Sequence, residues 1–270
     1  MASTDQTPGA MPPGDGAVPP GKAMTVGQQM LDKGAEMMQS FQPIKKMSQH
    51  ACSFAIYSHD LTRQIQTHHY ISRLNQDFLQ CAVYDSDDSA ARLIGVEYIV
   101  SKRVFDTLQP EEQKLWHSHF YEVAFVDEIF CDEHFFGIID PILVQITSGA
   151  WVNPRVPELV QKSELEELAQ SYGKFWCTWQ VDRGDRLPLG APALMVSPQG
   201  VNMAMVKEEL IKKRDEKYKV SSSELGRKRA NFAIPEAEAV NPYADYWMQT
   251  GKGFAIDVQQ TEIKSRAPFP

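Results

Sequence analysis

The residues best suited to chemistry are His117 and His119, in the stretch from Leu115 to Val123. The aromatic and β-branched residues of this stretch predict an extended strand. Successive side chains of a strand point to opposite faces, so both histidines project from the same face. Two imidazoles on one face can supply two ligands of a single divalent metal ion, and they can equally form a hydrogen-bonded pair that lines a sheet. The sequence leaves both interpretations open.

A metal site on this strand needs further ligands. Glu122 lies three residues after His119, so on a straight strand its side chain points to the face opposite the two histidines. A β-bulge is required to place it on their face. The pattern resembles the first metal motif of the cupins, which are metal-binding β-barrels. In that motif the glutamate lies an even number of residues from the histidines, so all of them face the same side of the strand. No histidine follows His134, so a complete site must draw on residues elsewhere, with Glu97 as one candidate. The predicted ligands of a divalent metal are His117, His119, Glu122, His68 and His69.

No sequence pattern indicates a catalytic residue or an organic cofactor. The chain has no nucleophile elbow, no glycine-rich dinucleotide fingerprint and no internal repeat. These observations favour a non-catalytic protein. A metal-binding enzyme built on the histidine strand is the alternative.

The composition excludes several classes of protein. The chain has 270 residues, 43% of them apolar, so it can bury a substantial core. A formal net charge of -8 disfavours nucleic acid as a partner, because binding to phosphates requires a basic surface. No stretch supplies the ~20 apolar residues of a transmembrane helix. The four cysteines form no Cys-x-x-Cys pair, which is typical of free thiols in an intracellular protein.

The first 43 residues divide into an arm and a helix. Residues 1–23 are rich in proline and small residues and are predicted to be disordered. In residues 24–43, Thr25 and Gln28 form a capping box, and apolar residues then recur at helical spacing. The segment is predicted to be an amphipathic helix, docked either on the domain's own core or on a lipid surface. The predicted lipid contacts are Met30, Met37, Met38 and Phe41.

Residues 44–258 are predicted to form a single α+β domain, an antiparallel sheet flanked by helices, followed by a tail at 259–270. Strands are predicted at 52–57, 80–84, 92–100 and 174–181. Helices are predicted at 60–76, 101–116, 163–172 and 205–218. On the first of these helices His68 and His69 point about 100° apart, so at most one of them readily faces a shared centre with His117 and His119.

Several motifs that occur in order resemble the plant and fungal oil body-associated protein family, from about Phe41 to Val258. Members of that family are associated with oil bodies, the lipid droplets of seeds and other cells, and are linked to droplet stability. The motifs are Tyr57-Ser58-His59-Asp60, His68-His69-Tyr70, Tyr84-Asp85-Ser86-Asp87, Arg92-Leu93-Ile94-Gly95-Val96-Glu97-Tyr98, Trp116-His117-Ser118-His119 with Tyr121-Glu122-Val123, and Gln180-Val181-Asp182-Arg183-Gly184-Asp185 with Leu187-Pro188-Leu189-Gly190.

The resemblance implies a protein of the lipid-droplet surface, on its cytoplasmic side, that contributes to droplet stability in lipid storage. Its partners would be the droplet surface or droplet-resident proteins. A soluble interaction protein that a partner recruits to droplets is a further alternative. The resemblance supplies no catalytic residue. The chain departs from the family at residues 124–146, an apparent insertion between Val123 and the turn at Ser148-Gly149.

Overall fold

Antiparallel pairing between consecutive strands organises the first half of the fold. The computed structural model describes residues 3–4, 18–120, 150–198, 206–229 and 240–263. Each strand of the first half pairs with the next, so that four strands form a meander. They are β1 (Gln49–Tyr57), β2 (Asp60–Asn75), β3 (Phe78–Tyr84) and β4 (Leu93–Ser101).

The second half of the chain supplies the strands that close this sheet, which are β5 (His117–Ser118), β6 (Ser171–Cys177) and β7 (Ala193–Val196). One edge of β6 pairs with β4, from Gly95↔Cys177 to Ser101↔Ser171. Its other edge pairs with β5 and with β7, and β7 pairs with the end of β1. The two outer strands of the meander are therefore joined through β6 and β7, and six strands form a closed barrel.

Helices occupy the connections and the two ends of the described chain. They are α1 (Val26–Met38), α2 (Gln42–Lys45), α3 (Lys102–Phe105), α4 (Pro110–Gln113), α5 (Glu158–Ala169), α6 (Glu208–Tyr218), α7 (Ser222–Arg229) and α8 (Tyr246–Thr250). Helices together with an antiparallel sheet confirm the predicted α+β class. Because the sheet closes on itself, a helix can pack only on its outer face or against one of its open ends. Within the described ranges, no helix has the length and apolar character needed to cross a bilayer.

Apolar side chains inside the barrel form the main core. Tyr57, Ile99, Phe175 and Met195 are fully or almost fully buried there, and they come from four different strands. The same cluster includes Leu165, Leu168 and Ala169 of α5. Burial of each such side chain stabilises the fold by about 1.5–3 kcal/mol.

The predicted helix at 60–76 is wrong, because these residues form β2, which pairs with β1 on one edge and β3 on the other. The inward side chains are Ile65, Thr67, His69 and Ile71, which recur every second residue. Two of these inward residues, Thr67 and His69, are polar, so the apolar residues do not alternate strictly and the pattern alone does not distinguish a strand from a helix. In a strand, adjacent side chains point to opposite faces, so His68 and His69 are separated by the wall of the barrel.

Other predicted elements exist with different boundaries. The helix expected at 163–172 is α5, which begins at Glu158 and ends at Ala169, so Tyr172 belongs to β6. The strand expected at 174–181 is β6, which ends at Cys177. In the predicted disordered arm, Ser3 and Thr4 are ordered against the C-terminal segment, where the Thr4 amide donates to the Ile256 carbonyl at 3.0 Å.

After Phe120 the described chain resumes at Ala150, in a segment that lies against the barrel wall. In this segment Val152 forms a two-bond bridge with Cys52 of β1, with N···O distances of 2.7 and 2.9 Å. The predicted insertion at 124–146 lies outside the described residues, as does Glu122.

Two buried arginines of the C-terminal helices hold the segment that begins at Ala150. Arg214 of α6 donates to the Ala150 carbonyl at 2.6 Å, and Arg229 of α7 donates to the Trp151 carbonyl at 2.8 Å. Each guanidinium also has a carboxylate partner, Asp215 for Arg214 and Glu158 for Arg229. A buried charge is tolerated when it is paired and hydrogen-bonded in this way.

We expect Gly95→Ala to destabilise the protein by about 3 kcal/mol, because a Cβ at this position would lie 2.2 Å from the Trp176 carbonyl oxygen and 2.7 Å from Phe175. Relief of the clash requires β4 and β6 to separate. Gly34→Ala in α1 is the matched control, since its Cβ meets nothing within 4 Å and α1 has no buried residue. Chemical denaturation measures both, and equal midpoints would contradict the role of β4–β6 closure.

Candidate functional site

Four polar side chains meet inside the barrel and are called the inner cluster: His69 of β2, Glu97 of β4, His117 of β5 and His119, which follows β5. All four are buried. Glu97 Oε1 lies 3.1 Å from His117 Nε2 and 3.5 Å from His119 Nε2. Glu97 Oε2 lies 2.8 Å from His69 Nδ1. One carboxylate therefore faces three imidazoles.

Gly173 of β6 provides the space in which three of these groups converge. It pairs with Ile99 of β4 on one side and with His117 of β5 on the other. A Cβ on Gly173 would lie 2.3 Å from Glu97 Oε1, 2.6 Å from His117 Nε2 and 2.8 Å from His119 Nε2. Any other residue at this position would push the cluster apart.

Hydrogen bonds on the far side of two imidazoles fix their orientation. His119 Nδ1 lies 2.9 Å from Ser171 Oγ, and Ser171 Oγ donates to the Leu168 carbonyl at 2.6 Å. A serine hydroxyl has one proton, so it must accept from His119 Nδ1–H. His69 Nε2 lies 2.9 Å from Thr67 Oγ1.

The charge of Glu97 is stabilised by its neighbours. Burial by itself raises the pKa of this carboxyl group, but the facing imidazoles, His69 first and then His117 and His119, outweigh burial. The pKa of Glu97 is held well below its ordinary value, so the group is a carboxylate.

Aromatic rings and a thiol complete the surroundings. Trp151 lies 5.5 Å from His69 and 5.8 Å from His119 between ring centroids. Cys81 of β3 is buried near His69 and Glu97, and burial raises the pKa of its thiol well above the ordinary value. The adjoining cavity has a volume of about 10 Å³, which is about the room that one water molecule needs.

The structure brings together three of the five predicted metal ligands, His69, His117 and His119. His117 and His119 project from one face, as the alternation of side chains along a strand predicts, since both face the Glu97 carboxylate. Glu97, which sequence reasoning could name but not place, lies at their centre. Gly173, Ser171 and Thr67 were missed, because a glycine or hydroxyl in a strand carries no signal until the pairing of the strands is known.

His68 does not join the inner cluster, because it points out of the barrel. It belongs to an outer cluster with His50, Asp87 and Tyr218. His68 Nδ1 lies 3.1 Å from His50 Nε2, and the Tyr218 hydroxyl lies 3.4 Å from His68 Nδ1 and donates to Asp87 at 2.9 Å. Burial, and then the neighbouring His50, lowers the pKa of His68 to about 4.

The four predicted lipid contacts lie in or just after α1 and are exposed. The exposed fractions are 71% for Met30, 83% for Met37, 84% for Met38 and 39% for Phe41. The predicted capping box is confirmed, since the Gln28 amide donates to Thr25 Oγ1 at 3.3 Å and the Thr25 amide donates to Gln28 Oε1 at 2.9 Å.

Comparisons with known proteins give one consistent result. A family profile described as "Protein of unknown function (DUF1264)" matches residues 41–129 and 143–233. The chain is 54% identical to Oil body-associated protein 2A of Arabidopsis thaliana and 52% identical to Oil body-associated protein 2B of Zea mays, over 100% of both chains in each case. It is 34% identical to Oil body-associated protein 1B of Arabidopsis thaliana, over 88% of this chain and 87% of that protein. No solved structure matches the chain.

We expect His68 to make stability depend on pH. Its pKa is about 4 in the folded protein against an ordinary 6.5, so between these values the unfolded chain binds more protons and the free energy of unfolding falls as pH falls. The loss reaches about 3 kcal/mol at most. Urea denaturation at about pH 7 and about pH 4.5 should therefore show a smaller difference for His68→Gln than for the wild type. An unchanged difference would rule out this source of pH dependence.

Proposed function

The chain belongs to the oil body-associated protein family, and from this premise we propose that it is a non-catalytic protein of the oil-body surface that contributes to the stability of the lipid droplet. It acts on the cytoplasmic side of that surface. The names of its relatives describe an association with oil bodies. The proposal extends that association to this chain and gives it a physical basis.

The exposed apolar side chains of α1 carry the proposal. At about 100° per residue, Val26, Met30 and Met37 fall on one side of the helix, and Leu31 and Met38 extend the same apolar face. All five are exposed, and none packs on the barrel. Gln29, Asp32 and Glu36 fall on the opposite face. Unburied apolar area of this kind is typical of a surface that has a partner.

A lipid surface is the partner that suits this helix. Methionine side chains are flexible and adapt to an irregular apolar surface. Phe41 and Ile44 extend the apolar set beyond α1 and are also exposed. Lys45 and Lys46 follow directly and are exposed. They can contact anionic headgroups while the apolar side chains enter the lipid surface. Burial of one such methionine contributes about 1.5–3 kcal/mol, so a few side chains are sufficient for reversible binding.

The proposed role needs neither a nucleic-acid partner nor a reaction. The lipid phase itself, together with droplet-resident proteins, supplies the binding surface. Recruitment by another protein is the competing explanation, and it differs in one respect that can be measured, because a recruited protein has no affinity for lipid alone.

We expect the purified full-length chain to float with artificial droplets of triacylglycerol coated by phospholipid, and Met30→Asp/Met37→Asp to abolish flotation. Gln29→Asp/Ser40→Asp is the matched control, because it adds the same charge on or beside the polar face and removes no apolar group. Flotation followed by quantitative gel analysis measures all three proteins. Wild-type protein that stays in the aqueous phase, or equal flotation of the two variants, would contradict direct binding through α1.

Bound protein should also slow the coalescence of these droplets, because a charged domain held at the surface keeps neighbouring droplets apart. The formal net charge of -8 favours this effect at low salt. Light scattering follows droplet size with time, and the Met30→Asp/Met37→Asp protein serves as the unbound control. Droplets that carry the wild-type protein and still coalesce at the control rate would leave binding intact and remove the stabilising role.

A further inference from the structure

The inner cluster has the spacing of a metal site. Glu97 Oε1, His117 Nε2 and His119 Nε2 lie within 4.8 Å of one another, in the space left by the absent side chain of Gly173. Two ligands held about 2.1 Å from one ion at a tetrahedral angle lie about 3.4 Å apart. The distances from Glu97 Oε1 are 3.1 Å to His117 and 3.5 Å to His119. The longer of the two exceeds the length of a charged hydrogen bond between a nitrogen and a carboxylate, about 2.7–2.9 Å.

The protonation of His119 points the same way. Its Nδ1 carries a proton, because that nitrogen must donate to Ser171 Oγ. Nε2 is then the ring nitrogen directed at Glu97 Oε1, 3.5 Å away and with no hydrogen bond among the described residues. A cation bound between this nitrogen and the carboxylate oxygen would satisfy both atoms.

We propose that Glu97, His117 and His119 bind one divalent first-row transition-metal ion, zinc in the first instance, and that His69 positions the glutamate. Two imidazole nitrogens and one carboxylate oxygen are a donor set that zinc and iron(II) accept, with at least one coordination position left for solvent. The adjoining cavity of about 10 Å³ offers about the room that one water molecule needs. The proposal does not depend on the role at the droplet surface.

Contacts behind the ligands have the pattern found around bound metals. A metal-bound histidine usually donates its second ring nitrogen to a protein acceptor, and Ser171 fills this role for His119. His69 is held by Thr67 and lies against the carboxylate oxygen that does not face the other two histidines. Gly173 leaves the space that the ion requires.

The outer cluster is the natural competitor, because His50, His68 and Asp87 also lie within 4.8 Å of one another. Its groups already satisfy each other, however. His50 contacts His68, and Asp87 accepts from Tyr218 and forms an ion pair with Lys217. The outer cluster therefore serves as an internal control, with two histidines and one carboxylate like the proposed ligand set.

Metal analysis of the full-length, tag-free protein tests the proposal. The protein is stripped with a chelator, equilibrated with zinc chloride, separated from free zinc and analysed by mass spectrometry of the elements. The same steps are repeated with manganese(II) and, without oxygen, iron(II). We expect about one zinc ion per chain, its loss in His117→Ala/His119→Ala, and its retention in His50→Gln/His68→Gln. Circular dichroism establishes that each variant is folded.

Two milder variants keep the test decisive if the double alanine protein does not fold. Glu97→Gln preserves the shape of the side chain and removes the charged ligand, so zinc binding should be lost. Ser171→Ala leaves all three ligands in place and should weaken zinc binding by about 10- to 100-fold. The visible spectrum of the cobalt(II)-loaded protein should change in Ser171→Ala and not in His50→Gln/His68→Gln. No metal uptake by the wild type, uptake that Glu97→Gln leaves unchanged, or uptake lost with His50 and His68 would each overturn the proposal.

Discussion

The pairing of β4 with β6 is the interaction on which the rest of the structure depends. It closes the meander into a barrel and buries Glu97 on the seam. Burial of a carboxylate costs several kcal/mol unless partners surround it. The meander itself supplies His69, and closure brings His117 and His119, since β5 reaches Glu97 only through its pairing with β6. Glycines at two points of the seam permit the close approach, Gly95 beneath the Trp176 carbonyl and Gly173 beside the inner cluster.

The sequence predicts those features that depend on local periodicity. The strand alternation placed His117 and His119 on one face, and the Thr25 capping box located the start of α1. The prediction failed at β2, where the inward residues Thr67 and His69 are polar and break the apolar alternation of the strand. This error hid the fact that His68 and His69 lie on opposite sides of the barrel wall. Glu97 could be named as a possible partner, but its position depends on pairings between strands far apart in the chain. No local pattern encodes such a register.

The two regions of interest are physically independent. α1 has no buried residue, and its apolar side chains face away from the barrel core. The inner cluster is enclosed by strands and by Trp151, whose carbonyl accepts a hydrogen bond from Arg229. Changes at sites that share no partners have additive effects on stability. The helix and the cluster can therefore be tested by separate substitutions.

The pairing of β1 with β7 determines when the chain can complete its fold during synthesis. Tyr57 pairs with Met195, so the ring cannot be completed until Met195, more than 130 residues further along the chain, has left the ribosome. A topology dominated by such distant contacts folds slowly, since the entropy of a long loop must be lost before its pairing energy is gained. Until then the meander has two open edges and an uncovered apolar face, which is the state most prone to aggregation. The open meander is therefore the stage of synthesis at which this chain is most exposed to wrong pairing with other chains.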